Sequence, residues 1–161
     1  MRSRVPDMAG TPSLSRGAMV AAQAELWIDT PFVWQGRVRG HGCDCKGLVA
    51  GIAAELGFAE AASLEAMAGD YGDGAPVPLA RLRRGLAKLF DMVPVADRQP
   101  GDVLLVKLRR LPQHLAIFAP RDVRPDRAIE AMAGHPGRVR PADWSTDRID
   151  SAWRWREAPP C

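Results

Sequence analysis

The chain has 161 residues, of which 47% are hydrophobic and 25% are charged, and this size and composition favour one globular domain with a substantial core. The formal net charge is +3, and the basic residues are spread along the chain. A basic surface favours anionic partners, but no nucleic-acid-binding motif accompanies it, so we predict that nucleic acid is not the partner. Three cysteines, one of them the terminal Cys161, do not form a disulfide framework.

The ends of the chain are predicted to be short tails. The first sixteen residues contain no apolar run long enough for a secretory signal, and no stretch is long enough to span a membrane. We therefore predict a cytoplasmic protein with a flexible N-terminal tail at 1–16, a single domain at 17–157 and a C-terminal tail at 158–161.

The first half of the chain is predicted to be helical. Apolar spacing predicts a helix from Ala18, with Met19, Ala22 and Leu26 on its buried face, that ends near residues 29–30. A second helix is predicted over 46–56 with one buried face, and a third over 79–90 with solvated basic residues on its outer face. Those basic residues are Arg81, Arg83, Arg84 and Lys88. Residues 60–78 between these two helices are predicted to be an irregular surface loop.

The second half changes to the alternation typical of strands. A turn at 100–102 precedes predicted strands at 103–108 and 114–118, and further strands are predicted at 128–133, 138–140 and 149–156. In the last strand Trp153 and Trp155 fall on one face, which favours a core position for both. Helices followed by antiparallel strands indicate an α+β domain with the helices packed on one side of the sheet.

The residue that carries the most chemical information is Cys45. It follows a glycine-rich turn and precedes an apolar helical pattern, so Asp44 is the expected N-cap and Cys45 the first helical residue. A thiol in that place faces unpaired N–H groups and the positive end of the helix dipole, and Lys46 adds a cation beside it. Cys45 therefore has the setting of an activated nucleophile, although a small buried cysteine is the alternative.

A cysteine nucleophile needs a general base, and histidine is the usual one. His41 lies in the same turn as Cys45, and His135 lies in a predicted loop tip. His114 begins the apolar run of a predicted strand, and a strand positions a catalytic group better than a loop does. His114 is therefore the predicted base, against the alternative of an ordinary strand-end histidine.

Four segments, in order and spacing, resemble the NlpC-type cysteine peptidases, which are papain-like cell-wall enzymes. They are Thr30-Pro31-Phe32-Val33-Trp34-Gln35-Gly36, Gly42-Cys43-Asp44-Cys45-Lys46-Gly47-Leu48-Val49, Pro100-Gly101-Asp102-Val103-Leu104 and His114-Leu115-Ala116-Ile117-Phe118. The doublet of cysteines in Gly42-Cys43-Asp44-Cys45 resembles in particular the branch carried by tailed phages and gene transfer agents.

The resemblance implies a papain-like fold and cleavage of peptidoglycan stem peptides, typically at the γ-D-glutamyl bond to diaminopimelate. It implies that Cys45 is the nucleophile and His114 the base, and that neither a metal ion nor an organic cofactor takes part. It also implies phage-like tail components as partners, with delivery to the cell wall on such a particle.

The same resemblance assigns a third catalytic residue, which orients the base. The family usually has a histidine on the next strand, and Glu130 holds that position here, where its carboxylate can accept the imidazole N–H. His135, five residues further on, is the alternative.

For substrate binding the resemblance points to Asp44, together with the positions of Phe32 and Lys46. The family commonly has tyrosine and serine at the last two positions, and these help to recognise a free amino end of the substrate. Phe32 and Lys46 therefore predict a different preferred stem peptide. Tyr71, the only tyrosine, is expected either to supply a hydroxyl group from the irregular loop or to lie on the surface.

Other functions remain open at this point. A metal-binding structural module would use His41, Cys43, Cys45 and His114, although this cysteine spacing is a weak zinc pattern. The same fold would also serve as a thiol acyltransferase or as an inactive tail-structure component.

Overall fold

The computed structural model describes residues 13–69, 78–109 and 111–158. Residues 1–12 of the predicted N-terminal tail and 159–161 of the C-terminal tail lie outside the described residues, as does Tyr71. The predicted division into a tail, one domain and a second tail stays a prediction. The first helix already begins at Arg16, with Ser15 as its N-cap.

The described part of the chain is an α+β fold, as predicted, with a large antiparallel sheet. The helices are α1 (Arg16–Glu25), α2 (Cys45–Glu55), α3 (Ala61–Gly69) and α4 (Leu79–Leu89). The strands are β1 (Arg37–Val38), β2 (Gly42–Cys43), β3 (Phe90–Val93), β4 (Val103–Leu108), β5 (Leu111–Phe118), β6 (Arg127–Met132), β7 (Arg138–Asp143) and β8 (Ile149–Trp155). The strand order is β3-β8-β4-β5-β6-β7, and β1 and β2 form a separate short ribbon before α2.

The buried residues of helix α1 and the turn after it differ from the predicted ones. Val20, Ala24 and Trp27 are buried, whereas Leu26 is 58% exposed and Ala22 is also exposed. In an alanine-rich helix the two registers have similar apolar patterns, and tertiary packing decides between them. Here the Trp27 ring fills the space over Gly51 on α2, where an added Cβ would lie 2.3 Å from the indole.

Helix α2 is the central helix of the molecule, and the prediction of a single buried face is wrong. Every residue from 46 to 53 is buried. Helices α1 and α3, the β1–β2 ribbon and the sheet surround α2, so its residues 46–53 have no solvated face, whereas Ala54 and Glu55 at its end are exposed. A helix with apolar residues on all sides is typical of a fully buried position, and its first residues are therefore held rigidly.

Residues 61–69 form helix α3 and are not an irregular loop as predicted. The segment is rich in alanine, which has the highest helix propensity, and Leu64 and Ala68 are buried at a four-residue spacing. The glycines and prolines that follow are typical of a loop, and they obscure the helical pattern of this short segment. Those following residues, 70–77, lie outside the described part.

The sheet agrees with the predicted strands, except that two of them are longer and one further strand is present. Strand β4 has the predicted bounds, and Trp153 and Trp155 of β8 are buried in the core as predicted. Strand β5 begins three residues earlier than expected, and β7 extends three residues further. Strand β3 was not predicted, because Phe90 continued the apolar spacing of α4; it instead leaves the helix and pairs with Trp155.

Candidate active site

Cys45 is the first residue of α2, and Asp44 is its N-cap, both as predicted. The Asp44 Oδ1 atom accepts the backbone N–H of Gly47 at 2.8 Å. The N–H of Cys45 has no acceptor within the helix, and it lies at the positive end of the helix dipole. Cys45 is partly exposed, whereas the residues that follow it in α2 are buried.

The second Asp44 oxygen holds the preceding turn against the helix. Oδ2 accepts the backbone N–H of Gln35 at 2.8 Å, and Gln35 has a positive φ of 61°. Gly36 follows, and its carbonyl oxygen would lie 1.8 Å from a Cβ at Gly47. Asp44 is only 1% exposed, and burial raises the pKa of its carboxyl group while the two backbone hydrogen bonds oppose this. The Asp44 carboxylate thus holds the turn at Gln35 against the start of α2, and its contact with substrate stays a prediction.

His114 lies on β5 opposite Val106 of β4, and it is 4% exposed. Its Nε2 atom lies 2.9 Å from Glu130 Oε2, so Nδ1 is the ring nitrogen left to face α2. The Cys45 thiol and this imidazole lie close enough for each to shift the pKa of the other. The sulfur at the start of α2 and the imidazole on β5 therefore lie together, and their roles as nucleophile and base stay a prediction.

Glu130 of β6 lies behind His114 and is 1% exposed. Besides His114, Oε2 accepts the indole N–H of Trp144 at 2.9 Å, and Oε1 is 3.4 Å from Arg140 Nε. Burial raises the pKa of Glu130, but the hydrogen bonds from His114 and Trp144 and the charge of Arg140 outweigh it, so the pKa is lowered. A carboxylate in this state holds the imidazole ring in place and stabilises its protonated form.

The two reacting groups have pKa values shifted in opposite directions. Burial raises the pKa of Cys45, but the hydrogen bond and charge of His114 and the backbone N–H of Leu115 lower it further than burial raises it. Burial lowers the pKa of His114, but its hydrogen bonds to Cys45 and Glu130 raise it to about 9. These directions favour a thiolate–imidazolium pair, which is the reactive state of a cysteine nucleophile.

The remaining cysteine and histidines are separate from this pair. Cys43 is fully buried and unpaired with Cys45, and burial raises the pKa of its thiol to about 12. His41 is exposed, with Nδ1 3.2 Å from the carbonyl oxygen of Arg39. His135 is exposed in the turn between β6 and β7, whereas Glu130 is the residue that contacts His114 Nε2.

The other predicted substrate-binding residues have different surroundings. Phe32 is half-buried, and its backbone pairs with Gly137 and Cys43. Lys46 is 4% exposed; burial lowers the pKa of its ammonium group, and the charges of Cys45 and Asp44 oppose this. Tyr71 lies outside the described residues, so its predicted contact is not located.

Trp144 and Arg140 are site residues that the sequence analysis missed. Both reach Glu130 from the neighbouring strand β7 or the segment just after it. Neither forms a recognisable motif with Glu130, because the proximity depends on the β6–β7 register, in which Glu130 is opposite Arg140. Only the assumption that 128–133 and 138–140 pair as a hairpin would have suggested Arg140.

Neither a metal site nor a membrane-spanning helix is present in the described part of the chain. No group of three or more potential ligands among histidine, cysteine, aspartate and glutamate comes together there. None of the described helices has the length and hydropathy needed to cross a membrane.

Comparison with known proteins relates this arrangement to solved structures. No protein-family model and no curated protein matches the sequence. The NlpC/p60 domain of the peptidoglycan hydrolase SagA is 20% identical, with a TM-score of 0.57 over 86% of this chain and 97% of that one. The P60 domain of an antigen from M. avium subspecies paratuberculosis is 16% identical, with a TM-score of 0.55 over 86% and 93%. NlpC2 from Trichomonas vaginalis is 15% identical, with a TM-score of 0.58 over 90% of this chain and 49% of that one.

Each of these likenesses covers 86% or more of the chain. At identities of 20% or less, the structural similarity shows a shared fold and nothing more. The chain therefore has the papain-like α+β fold of NlpC/p60 domains.

Proposed function

We propose that this protein is a cysteine peptidase that hydrolyses amide bonds in peptidoglycan stem peptides. The observation that carries the proposal is the contact between the Cys45 thiol at the start of α2 and the His114 imidazole on β5, with Glu130 on the far side of the ring. The likeness to the NlpC/p60 domain of a peptidoglycan hydrolase supports the choice of substrate.

In the proposed reaction the Cys45 thiolate attacks the amide carbonyl carbon. The oxyanion that forms accepts hydrogen bonds from backbone N–H groups at the start of α2, including that of Cys45. The His114 imidazolium gives its proton to the departing amine, which leaves a thioester on Cys45. His114 then takes a proton from water, and the resulting attack on the thioester releases the acid and restores the thiolate.

Glu130 has the role of a positioning residue in this scheme. It bonds Nε2 of His114, which keeps Nδ1 directed at the sulfur, and its negative charge stabilises the imidazolium. Trp144 and Arg140 in turn fix the carboxylate. A carboxylate therefore replaces the histidine that the family usually has in this place.

The bond that we propose is cut is the γ-D-glutamyl bond to diaminopimelate, which the resemblance of the four sequence segments supports. The cysteine doublet of Gly42-Cys43-Asp44-Cys45 further supports action on or with a phage-like particle, with tail components as partners and synthesis in the cytoplasm. Immunodetection of the chain in purified particles, compared with the particle-free supernatant, tests this part of the proposal. Absence from the particles would contradict it.

The hydrolytic activity is tested with defined muropeptides. The wild type and Cys45→Ala are incubated with each muropeptide, and new amino ends are followed by mass spectrometry. We expect new amino ends with the wild type and none with Cys45→Ala. Equal behaviour of the two proteins on every stem peptide would exclude hydrolysis by Cys45.

The same experiment separates hydrolysis from acyl transfer. An added amine, such as a free amino acid, competes with water for the thioester. A product that contains the added amine as the main species would identify a thiol acyltransferase, whereas a free carboxylic acid as the main species identifies a hydrolase.

A further inference from the structure

The β7–β8 segment, residues 144–148, is held beside His114 at both of its ends. At its start, Trp144 donates its indole N–H to Glu130, and the centroid of its ring lies 6.2 Å from that of the His114 ring. At its end, Ile149 begins β8 and pairs with Val106 of β4, which pairs on its other side with His114. Two strand spacings of about 4.8 Å thus separate the backbone of Ile149 from that of His114. Both ends of the segment are therefore part of the surroundings of this imidazole.

Arg148 is the last residue of the segment, and its side chain is exposed. Its guanidinium carbon lies 4.5 Å from the centroid of the Trp144 ring, so the guanidinium group covers the ring that lies beside His114. The guanidinium carbon is separated from the imidazole by at most these two distances together. Within residues 13–69, 78–109 and 111–158, the Arg148 guanidinium contacts this ring and has no hydrogen bond to a carboxylate. Its N–H groups are therefore available to a ligand.

The charged residues around Arg148 do not neutralise it. Arg140 and Glu130 face each other at 3.4 Å, so each offsets the charge of the other. Asp147 precedes Arg148 in the chain, and the Lys107 ammonium group donates to its backbone carbonyl oxygen at 3.3 Å, which brings a second cation to this carboxylate. Positive charge is in excess here, and it favours an anionic ligand.

The proposed reaction places the leaving part of the substrate on this side of the site. His114 gives its proton to the departing amine, so the residue that leaves lies on the His114 side of the Cys45 sulfur. Glu130 and Trp144 lie beyond the imidazole, on the side of Nε2, and Arg148 lies over Trp144. A group that extends from the departing nitrogen past the imidazole therefore approaches Arg148.

The proposed leaving residue carries a suitable anion at a suitable distance. In diaminopimelate, six bonds separate the departing nitrogen from the carbon of the carboxylate at the end of the side chain, and they span about 7 Å when extended. A charge-assisted hydrogen bond adds about 2.8 Å. This reach matches the separation of Arg148 from His114. Lysine has the same chain without this carboxylate.

We propose that Arg148 binds the carboxylate at the side-chain end of the leaving residue, and so selects diaminopimelate over lysine stem peptides. This inference rests on the proposed function and names the group that distinguishes its substrate. Arginine suits this role because its planar guanidinium can stack on an aromatic ring and bond a carboxylate through two parallel N–H groups.

The test measures binding in the Cys45→Ala background by isothermal titration calorimetry. The ligands are three γ-D-glutamyl tripeptides: one with diaminopimelate, one with its side-chain carboxylate amidated, and one with lysine. The variants are Arg148→Gln, which removes the charge, and Arg148→Lys, which keeps it without the planar pair of donors. The matched control is Arg121→Gln, which removes a charge from an exposed arginine in the turn after β5.

We expect Arg148→Gln to weaken binding of the diaminopimelate peptide roughly tenfold and to leave binding of the other two peptides unchanged. Arg148→Lys should retain part of the preference, and Arg121→Gln should bind like its parent. Circular dichroism of each variant checks that the fold is intact. Equal dissociation constants of parent and Arg148→Gln for the diaminopimelate peptide, or an equal loss for all three peptides, would overturn the proposal.

Failure of this inference is distinguishable from failure of the proposed function. If the wild type cleaves no muropeptide but Arg148→Gln selectively weakens binding of the diaminopimelate peptide, the hydrolysis proposal fails and the role of Arg148 stands. If the wild type cleaves diaminopimelate and lysine peptides equally well and Arg148→Gln binds both like its parent, hydrolysis stands and the role of Arg148 fails. If the parent binds none of the three peptides, both proposals fail.

Discussion

Replacing Glu130 by glutamine removes the negative charge behind His114 with little change of shape. Oε2 accepts hydrogen bonds from both His114 and Trp144, so the amide oxygen is expected to take that place. The amide nitrogen then faces Arg140, whose half-exposed side chain can turn away. The variant should therefore keep the fold and lose mainly the electrostatic support of the imidazolium.

The size of the effect follows from the buried contact between His114 and Glu130. A hydrogen bond between charged partners contributes about 1.5–3 kcal/mol, and one pKa unit corresponds to about 1.4 kcal/mol. The pKa of His114, which the native site raises to about 9, should therefore fall by about one to two units in the variant. Because the imidazolium must protonate the leaving amine, activity is lost as pH rises through this pKa. The alkaline limb of the kcat/KM profile should move to lower pH by the same amount.

The assay is kcat/KM on a cleaved muropeptide as a function of pH, together with the rate of Cys45 alkylation by iodoacetamide, which needs no substrate. Trp144→Phe is the matched control, because it removes the other donor to the same oxygen but keeps the charge. We expect its alkaline limb to stay at or above the wild-type position. An unshifted limb in Glu130→Gln would refute the role given to the carboxylate.

Three further predictions concern stability and reactivity. The Arg16 hydrogen bond lowers the pKa of Glu60 in the folded protein, so in acid the unfolded state binds more protons than the folded state. The free energy of unfolding, measured by urea denaturation, should therefore decrease as the pH falls below the ordinary Glu pKa. The decrease should be smaller in Glu60→Gln. Gly47→Ala should destabilise the protein by more than about 3 kcal/mol, because its Cβ would lie 1.8 Å from the Gly36 carbonyl oxygen; thermal unfolding measures this. Cys43, whose thiol pKa burial raises to about 12, should resist iodoacetamide at neutral pH, as judged by peptide mapping.

Each of these predictions has a control and a contradicting result. An unfolding free energy of Glu60→Gln with the same acid dependence as the wild type would contradict the first. Gly134→Ala is the control for the second, since an added Cβ there meets no atom nearer than 3.7 Å; equal unfolding temperatures for the two alanine variants would contradict the steric argument. Cys45 is the internal control for the third, and faster alkylation of Cys43 than of Cys45 would contradict the assignment of the reactive thiol.

The positions of the proposed catalytic pair, Cys45 and His114, could be predicted from the sequence because local signals encode them. The N-cap at Asp44 and the apolar run after Cys45 define a helix start, and capping depends only on residues three positions apart. His114 begins an apolar strand, so its rigid position follows from local alternation. Glu130 came from the family resemblance, since nothing local links it to His114, sixteen residues away.

Other features depend on tertiary packing and were out of reach. Val20 in α1 and Leu26 just after it are both apolar, but Val20 is buried and Leu26 is exposed, in agreement with the packing of Trp27 on α2. The burial of Lys46 contradicts the usual exposure of lysine and arises because residues 46–53 of α2 are surrounded by other elements. The sequence predicts a solvated face for the arginines of α4. The groove that Arg81 and Arg84 line together with Met67 forms only because α3 lies beside α4.

The identity of the nucleophile can be tested directly with a stem peptide that carries an acyloxymethyl ketone in place of the scissile amide. A thiolate activated by a neighbouring imidazole displaces the acyloxy group and forms a permanent thioether, which peptide mapping locates. The account predicts that the peptide label is found on Cys45 in the wild type and is lost in His114→Ala. Labelling of Cys43, or undiminished labelling of Cys45 without His114, would contradict it.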